Sequence, residues 1–313
     1  MSKYFARRLL TTIPTLFGGV TLIFLAVNLI PGDPVAMMLE NYFSGDAYDA
    51  IRIRLGLDQP LYIRYIRYLG DLLKGNLGTS FRTGRNVLMD ILAQFPYTFS
   101  LATAALSLAA LIGVIAGVVS ATQRNRWSDQ AIMVLALTAV STPSFWFGIL
   151  LMMLFSVRLR WFPTIGGGTL DDPLNFLRYL ALPTIAIGTR SAALIARLTR
   201  SALLDCLGQD YVQTARAKGL TERVVVFRHA FRNALLPVIT IIGIDLGHML
   251  GGTAIIEKVF SRPGVGKLLV DGVLARDYPQ VQGTMIFFMI MILIANFLAD
   301  VAYSIADPRI RYD

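Results

Sequence analysis

Cysteine, histidine and charge are scarce in this chain of 313 residues. Its single cysteine, Cys206, excludes an internal disulfide and a cysteine-based metal cage, and its two histidines, His229 and His248, are too widely spaced for an HExxH zinc motif. Only 16% of the residues are charged, whereas a soluble globular chain carries roughly 25%. The low content of charged residues excludes an ordinary soluble domain, and the few Cys and His residues provide no ligand set typical of a metalloenzyme.

The chain instead contains long apolar runs. Hydrophobic residues make up 55% of the chain, and the mean hydropathy is +0.59. Four uncharged runs exceed the ~18 residues that mark a membrane helix: Leu9–Gly32, Ile91–Gln123, Ala131–Val157 and Tyr278–Ala299. Two weaker runs are Tyr179–Ala196, interrupted by Arg190, and Ala234–Ile256, interrupted by Asp245 and His248. Because helices satisfy every backbone polar group within lipid, we predict an all-α polytopic membrane protein with six transmembrane helices.

The distribution of Lys and Arg predicts how these spans are oriented. Six spans place both termini on one side of the membrane. Loop 31–90 is left out of the comparison of Lys and Arg, because it is long and its seven bases are matched by seven acids. The segments on the side of the termini then hold fourteen Lys and Arg against seven in the two remaining loops. We therefore predict cytoplasmic termini, a peripheral first helix at 1–30, an extracytoplasmic segment at 31–90 and a five-helix core at 91–313 with a cytoplasmic loop at 197–233.

Within segment 31–90, the stretch Leu61–Leu73 has helical amphipathicity. We expect its arginines to face water and its Leu, Ile and Tyr side chains to pack on the outer surface of the protein.

Loop 197–233 has the pattern of two short helices. Gly208-Gln209-Asp210 opens the first. Tyr211, Thr214, Ala215 and Lys218 follow at spacings of three and four, and Gly219 stands where a left-handed residue would end the helix. Thr221 is placed to cap a second helix with separate apolar and basic faces. From the pattern alone, one interpretation is a helix pair lying on anionic lipid through its arginines.

Two segments of this loop resemble a known family. Tyr211-Val-Gln-Thr-Ala-Arg-Ala-Lys-Gly219 and His229-Ala-Phe-Arg-Asn-Ala-Leu-Leu-Pro237 are similar to the EAA loop of permease subunits in bacterial ABC importers of the dipeptide, oligopeptide, glutathione and nickel branch. Further similar segments are Gly32-Asp-Pro34, Leu55-Gly-Leu-Asp-Gln-Pro-Leu-Tyr62, Gly251-Gly-Thr-Ala-Ile-Ile-Glu-Lys-Val-Phe260, Pro263-Gly-Val-Gly266, Arg276-Asp-Tyr-Pro279 and Asp307-Pro-Arg-Ile-Arg311. Gln213 and Thr214 depart from the general pattern, where many importers carry Glu and Ala.

The resemblance implies the type I ABC importer permease fold in the bacterial inner membrane. The implied partners are a homologous second permease, two cytoplasmic ATPases and an extracytoplasmic solute-binding protein. This chain would form half of the translocation pathway for peptides, either di- or oligopeptides or glutathione-like ones, and would not be an enzyme, since ATP and magnesium would be bound by the ATPases. Import of nickel or haem by the same architecture, or secondary transport, are the alternatives.

The resemblance also assigns the loop its role, because in this family the first loop helix inserts into a cleft on the ATPase. The residues implied in ATPase coupling are Asp210, Tyr211, Thr214, Ala215, Arg216, Ala217 and Gly219. Small side chains among them would allow close approach.

No nucleotide-binding or catalytic motif accompanies this loop. Gly264-Val-Gly-Lys267 lacks the first Walker A glycine, since Ser261 stands there, and Leu268 replaces the Ser or Thr that follows the lysine. We assign no catalytic residue, no metal ligand and no cofactor to the chain.

Three ionisable residues within the predicted spans are Arg190, Asp245 and His248, and such groups are functional candidates by default. They could line a wet pathway that meets a zwitterionic peptide. Alternatively, Arg190–Asp245 or Asp245–His248 could be a structural pair, or Arg190 could extend to the membrane surface.

Overall fold

Helices account for nearly all of the structure, a computed structural model that describes residues 2–29, 35, 45–54, 56–169 and 171–306. The α-helices are α1 (Ser2–Leu29), α2 (Gly45–Arg54), α3 (Leu61–Leu73), α4 (Val87–Thr122), α5 (Trp127–Ser141), α6 (Ser144–Leu151), α7 (Pro173–Leu207), α8 (Asp210–Ala217), α9 (Glu222–Val224), α10 (Phe231–Val259), α11 (Val265–Leu274) and α12 (Tyr278–Ala306). Two π-helical stretches, Met152–Arg158 and Val225–Ala230, extend α6 and join α9 to α10. Within the described ranges, the β-type pairing is one bridge, between Thr79 and Asn86. The all-α prediction is confirmed, whereas the predicted motifs at 32–34 and 307–311 lie outside the described residues.

Among the described residues, five helices are long and apolar enough to cross a membrane, and a bent pair raises the number to six if it counts as one span. The pair consists of α5 and of α6 together with its π-helical extension to Arg158, and the two meet at an angle of 102°. The uncharged run Ala131–Val157 is therefore not one continuous helix. Its break lies at Thr142, whose backbone is extended (φ −87°, ψ 124°), because a residue that precedes a proline disfavours the helical conformation.

The chain divides into two compact units, of which the first comprises Met1–Thr98 and Pro263–Ile290. One of its buried clusters joins Val20 and Ile23 of α1 to Ile286 of α12, and another joins Val87 and Ile91 to residues of α11 and α12. Polar contacts also hold this unit. The Asp277 carboxylate accepts hydrogen bonds from Ser80 Oγ at 2.5 Å and from the backbone N–H of Phe81 at 3.0 Å, which ties the turn before α4 to the start of α12.

Helix α3 occupies the predicted range Leu61–Leu73, but its faces only partly match the prediction. Tyr68, Leu69 and Leu72 pack on α1, and Arg67 is exposed as expected. Arg64 is half-buried instead and donates a hydrogen bond to Asn28 of α1. The prediction that its arginines face water is wrong for Arg64, because a polar side chain at the end of α1 provides it with a partner.

The second unit comprises Phe99–Arg262 and Met291–Asp313, with α7 at its centre. Helix α7 packs most extensively against α10 and also contacts α5 and α6. Its start is specified locally: Pro173 is the first helical residue, and the Asp172 carboxylate accepts a hydrogen bond from the Asn175 backbone N–H at 3.1 Å. At 35 residues it extends well beyond the predicted run Tyr179–Ala196.

Two glycines bring α4 close to α7. A Cβ atom added to Gly113 would lie 2.7 Å from the carbonyl oxygen of Ala192, and one added to Gly117 would lie 2.6 Å from that of Ala196. Glycines four residues apart lie on the same face of a helix and permit such backbone contact in membrane bundles. The cluster beside them contains Ala102, Ala105, Ala109, Ala192, Ile195, Val238, Met249, Leu250 and Ala295.

Candidate functional site

The short helix α8 begins at Asp210, as the sequence predicts, and lies with one face against the protein. Val212 and Ala215, three residues apart, are 0% and 5% exposed. They pack in a cluster with Val118, Ala121, Leu203, Val225, Val226, Ala230 and Ala234. The small side chain at Ala215 therefore faces this chain's own helices, and it is not on the exposed side of α8.

The opposite face of α8 is open to a partner. The exposed residues among those implied in coupling are Asp210, Tyr211, Thr214, Arg216, Ala217 and Gly219. The Thr214 hydroxyl donates to the Asp210 carbonyl oxygen at 2.9 Å, so it is satisfied within the helix. This face is polar, and its two smallest members, Ala217 and Gly219, lie at the end of the helix.

The end of α8 is held by a glycine and an ion pair. Gly219 has φ +77°, which confirms the predicted left-handed residue, and its N–H donates to the Arg216 carbonyl oxygen at 2.9 Å. Arg216 Nη2 lies 2.6 Å from Glu222 Oε1 and Nε lies 3.1 Å from Oε2, so a bidentate pair spans the turn to α9. This hydrogen bonding raises the pKa of Arg216. Both side chains are largely exposed, so the pair orients the turn more than it stabilises the fold.

The second helix of the loop is continuous with a membrane span. It begins after Thr221, the predicted cap, although the Thr221 side chain forms no capping hydrogen bond. The helix runs through the π-helical stretch into α10, so Glu222–Val259 forms one candidate span. Asn233 of α10 donates to Tyr211 Oη at 3.0 Å, and partial burial raises the pKa of Tyr211. Helix α8 is thereby tied by a polar contact as well as by its apolar face to the helix that enters the membrane.

An ion pair that the sequence did not predict lies near the same cluster. Asp129, in the first turn of α5, is 3% exposed and accepts hydrogen bonds from Arg200 Nε at 2.7 Å and Nη2 at 2.8 Å. It also accepts from Ser120 Oγ and from the Asn125 backbone N–H. The pair joins α5 to α7 and both to the end of α4. The only hint of this pair in the sequence was Asp129 itself, an acidic residue just before the uncharged run Ala131–Val157.

The three candidate pathway residues are not joined to one another. Arg190 of α7 and His248 of α10 are exposed, and Asp245 of α10 is half-buried. In the described part of the chain, none of the three side chains forms a hydrogen bond or an ion pair. Neither structural pair left open by the sequence occurs there. Their role in a pathway stays a prediction.

The glycine-rich segment before α11 serves a structural purpose. Gly264 precedes the helix in an extended conformation, and the Val265 N–H donates to Thr98 Oγ1 at 2.8 Å. That N–H is therefore engaged by the chain itself, unlike those of a phosphate-binding loop. Across the residues described, no group of three or more His, Cys, Asp and Glu side chains could hold a metal ion.

These helices define a multi-pass membrane protein with the fold of ABC transporter permeases. The chain resembles a solved inward-facing structure of the MetNI methionine ABC transporter with a TM-score of 0.58 at 17% identity, over 70% of this chain and 97% of that one. It resembles a solved amino acid ABC transporter with histidines with a TM-score of 0.55 at 14% identity, over 69% and 94% of the two chains. The predicted type I importer fold is confirmed.

The chain belongs to the family of binding-protein-dependent transport system inner membrane components, which matches residues 109–312. The N-terminal region of the same kind of membrane component matches residues 1–102. Two similar relatives are the di/tripeptide transport system permease protein DppB of Pseudomonas aeruginosa (43% identical, covering 100% of this chain and 99% of the relative) and the glutathione transport system permease protein GsiC of Pectobacterium atrosepticum (42%, covering 100% of both). The protein is an ABC importer permease subunit of the bacterial inner membrane, as the motifs predicted.

Proposed function

We propose that this permease forms half of the membrane pathway of an ATP-driven importer for short peptides. The observation that carries the proposal is identity of 40–43% over the full chain to permeases named for di- and tripeptide, peptide and glutathione transport. Its partners are a homologous permease, a pair of ATPases that bind ATP and magnesium, and an extracytoplasmic binding protein that selects the solute.

The exposed face of α8 is the surface proposed to dock an ATPase. Val212 and Ala215 anchor the helix in a cluster that includes residues of α4, α7 and α10, so displacement of α8 is resisted by three long helices. The bidentate Arg216–Glu222 pair holds the turn that follows. A helix attached in this way transmits motion of a bound partner to the membrane spans. The orientation that accompanies this role places both termini and α8 in the cytoplasm.

The solute pathway is proposed to run past α7 and α10. Asp245 and His248 are three residues apart on α10, and Arg190 lies on α7, the helix against which α10 packs most extensively. Because these ionisable groups form no pair in the described residues, they are available to water or solute.

Uptake by the assembled transporter tests the substrate. The permease, its partner subunits and its binding protein would be reconstituted in vesicles with ATP inside, and labelled dipeptide, tripeptide, glutathione, nickel and haem would be offered separately. We expect ATP-dependent accumulation of peptides. Accumulation of only nickel or haem would overturn the peptide assignment, and accumulation without ATP or ATPases would overturn the importer mechanism.

Two alanines of α8 separate docking from folding. Ala217→Glu alters the exposed face and should abolish coupled ATP hydrolysis and uptake while the permease accumulates normally in the membrane. Ala215→Glu places a charge in the buried cluster and should lower the amount of folded protein. Full transport by Ala217→Glu at normal membrane levels would remove α8 from the proposed ATPase contact.

A further inference from the structure

An unassigned cavity of about 330 Å³ lies in the first unit, among α1, α3, the turns flanking α3 and the start of α12. Its wall is mixed. Apolar surface comes from Phe24, Leu57 and Phe81, and the charged side chains of the lining are Arg64, Arg67 and Asp71 on α3. None of the residues of α8 or of the proposed solute pathway contributes to it.

Three polar groups of this wall favour an anion. Arg64 is half-buried with Asn28 as its acceptor, and burial lowers the pKa of Arg64. Arg67 forms no hydrogen bond or ion pair in the described residues. The Tyr68 hydroxyl is buried and has no hydrogen-bond partner in the part of the chain that the structure describes. Two guanidinium groups and one phenol thus present donors that an anionic oxygen would satisfy, and arginine suits phosphate geometry best.

The cavity lies beside the end of the apolar segment of α1, at the level expected for the bilayer surface. The apolar segment of α1, Thr12–Leu29, has 18 residues, which at ~1.5 Å per residue is about 27 Å, close to the ~30 Å of the hydrocarbon core. Asn28 lines the cavity at one end of this segment. Phosphate groups of lipids lie at that level.

The two helices beside the cavity also carry exposed apolar side chains. Leu25 and Leu29 of α1 are 37% and 72% exposed, and Ile66 and Leu73 of α3 are 66% and 90% exposed. Both helices that line the cavity therefore expose apolar side chains, as expected of helices that contact lipid or lie in the membrane interface.

We propose that this cavity binds the headgroup of a phospholipid, with its phosphate held by Arg64, Arg67 and the Tyr68 hydroxyl and its acyl chains lying along α1 and α3. Asp71, one turn beyond Arg67, accepts a hydrogen bond from a hydroxyl or amine of the headgroup. The site therefore favours phosphatidylglycerol over phosphatidylcholine, whose quaternary ammonium has no N–H donor. It requires only that α1 crosses the membrane, and it is independent of the transported solute.

Lipid binding by the purified full-length chain tests this site. Native mass spectrometry in a neutral detergent would measure the affinity for short-chain phosphatidylglycerol and, separately, phosphatidylcholine with the same acyl chains. We expect one phosphatidylglycerol to bind about tenfold more tightly than phosphatidylcholine. The double variant Arg64→Gln with Arg67→Gln should lose about tenfold or more in affinity, as expected for lost charge-assisted hydrogen bonds.

Two further variants make the result decisive. Arg82→Gln removes a cation from an exposed residue of the same segment that does not line the cavity, so it should bind like the wild type. Tyr68→Phe removes a hydroxyl without a partner in the described chain, so it should weaken binding while leaving thermal stability without lipid unchanged. If the double variant unfolds, the phosphatidylglycerol affinity of Tyr68→Phe tests the site instead. Equal weakening by Arg82→Gln, unchanged affinity in Tyr68→Phe, or equal competition by inorganic phosphate would overturn the lipid site.

Discussion

Arg200 and Asp129 form a bidentate ion pair across 71 residues of sequence, with Nε–Oδ1 and Nη2–Oδ2 distances of 2.7 and 2.8 Å. The carboxylate is almost fully buried, whereas the guanidinium retains 26% of its side-chain exposure. Ser120 and Asn125 supply the remaining hydrogen bonds to the carboxylate. The start of α5 is therefore held to α7 by a buried charge whose hydrogen-bonding capacity is satisfied.

Asp129→Asn should destabilise the folded protein by about 3 kcal/mol, because removing one partner leaves a partly buried cation without its counter-charge. The measurement is thermal unfolding of the purified protein in detergent. Arg197→Gln is the matched control, since Arg197 is exposed on the same helix. Equal unfolding temperatures for the two variants would show that the pair contributes nothing to stability.

Gly113→Ala should destabilise the contact between α4 and α7 by roughly 1–3 kcal/mol, because the added methyl would lie 2.7 Å from both the Ala192 carbonyl oxygen and Ile195 Cβ. The control is Gly252→Ala in α10, where an added Cβ meets nothing within 4 Å. That substitution should be neutral or stabilising by up to ~1 kcal/mol. Thermal unfolding of both proteins measures the difference, and a Gly113→Ala variant as stable as Gly252→Ala would contradict the close packing.

Gly219→Val should impair coupling through backbone strain alone, since nothing lies within 4 Å of a Cβ added there and the residue has φ +77°. The expected cost of a left-handed β-branched residue is about 1–2 kcal/mol, and asparagine tolerates the conformation better. ATP-dependent uptake should fall in Gly219→Val and recover in Gly219→Asn.

Gly208→Ala is the control for that series. Gly208 lies in the same loop with φ −81°, and an added Cβ would be 3.6 Å from the nearest atom, so alanine is accommodated. If Gly219→Val transports as well as Gly208→Ala at equal membrane levels, the turn after α8 has no role in coupling.

Local signals in the sequence predicted the elements that depend on local chemistry. The apolar runs identified the spans, and Gly219 was recognisable because a left-handed helix end favours glycine irrespective of distant contacts. The bend at Thr142–Pro143 was missed because hydropathy measures how apolar a run is and carries no direction. The signal in the sequence was Pro143, because a proline disfavours the helical conformation at the residue before it.

Contacts between segments that are distant in sequence could not be predicted from local sequence patterns. Which face of α8 is buried depends on Val118 of α4 and Val225 of the following helix, so the inward position of Ala215 could not be read from its spacing. The Asp129–Arg200 pair depends in the same way on how α5 packs against α7. Arg64 turned inward because Asn28, 36 residues earlier, accepts its hydrogen bond.

Asp245→Asn should lower peptide uptake while leaving folding stability unchanged. Asp245 lies eight residues beyond Pro237, about 12 Å along α10 at 1.5 Å per residue, where an ionised carboxylate facing lipid would cost several kcal/mol. It is half-buried and forms no ion pair in the described residues, so neutralising it breaks no structural contact there. Asparagine keeps the shape and removes the charge.

The measurements for Asp245→Asn are uptake by the reconstituted transporter and thermal unfolding of the same preparation. Asp58→Asn, at an exposed residue of segment 31–90, controls for the loss of a carboxylate and should transport normally. Because the binding protein is a separate chain, its peptide affinity is unaffected and a fall in uptake reports on the membrane pathway. A fall in unfolding temperature without a specific loss of uptake would instead make Asp245 a structural residue. Normal uptake and normal stability together would remove it from the proposed pathway.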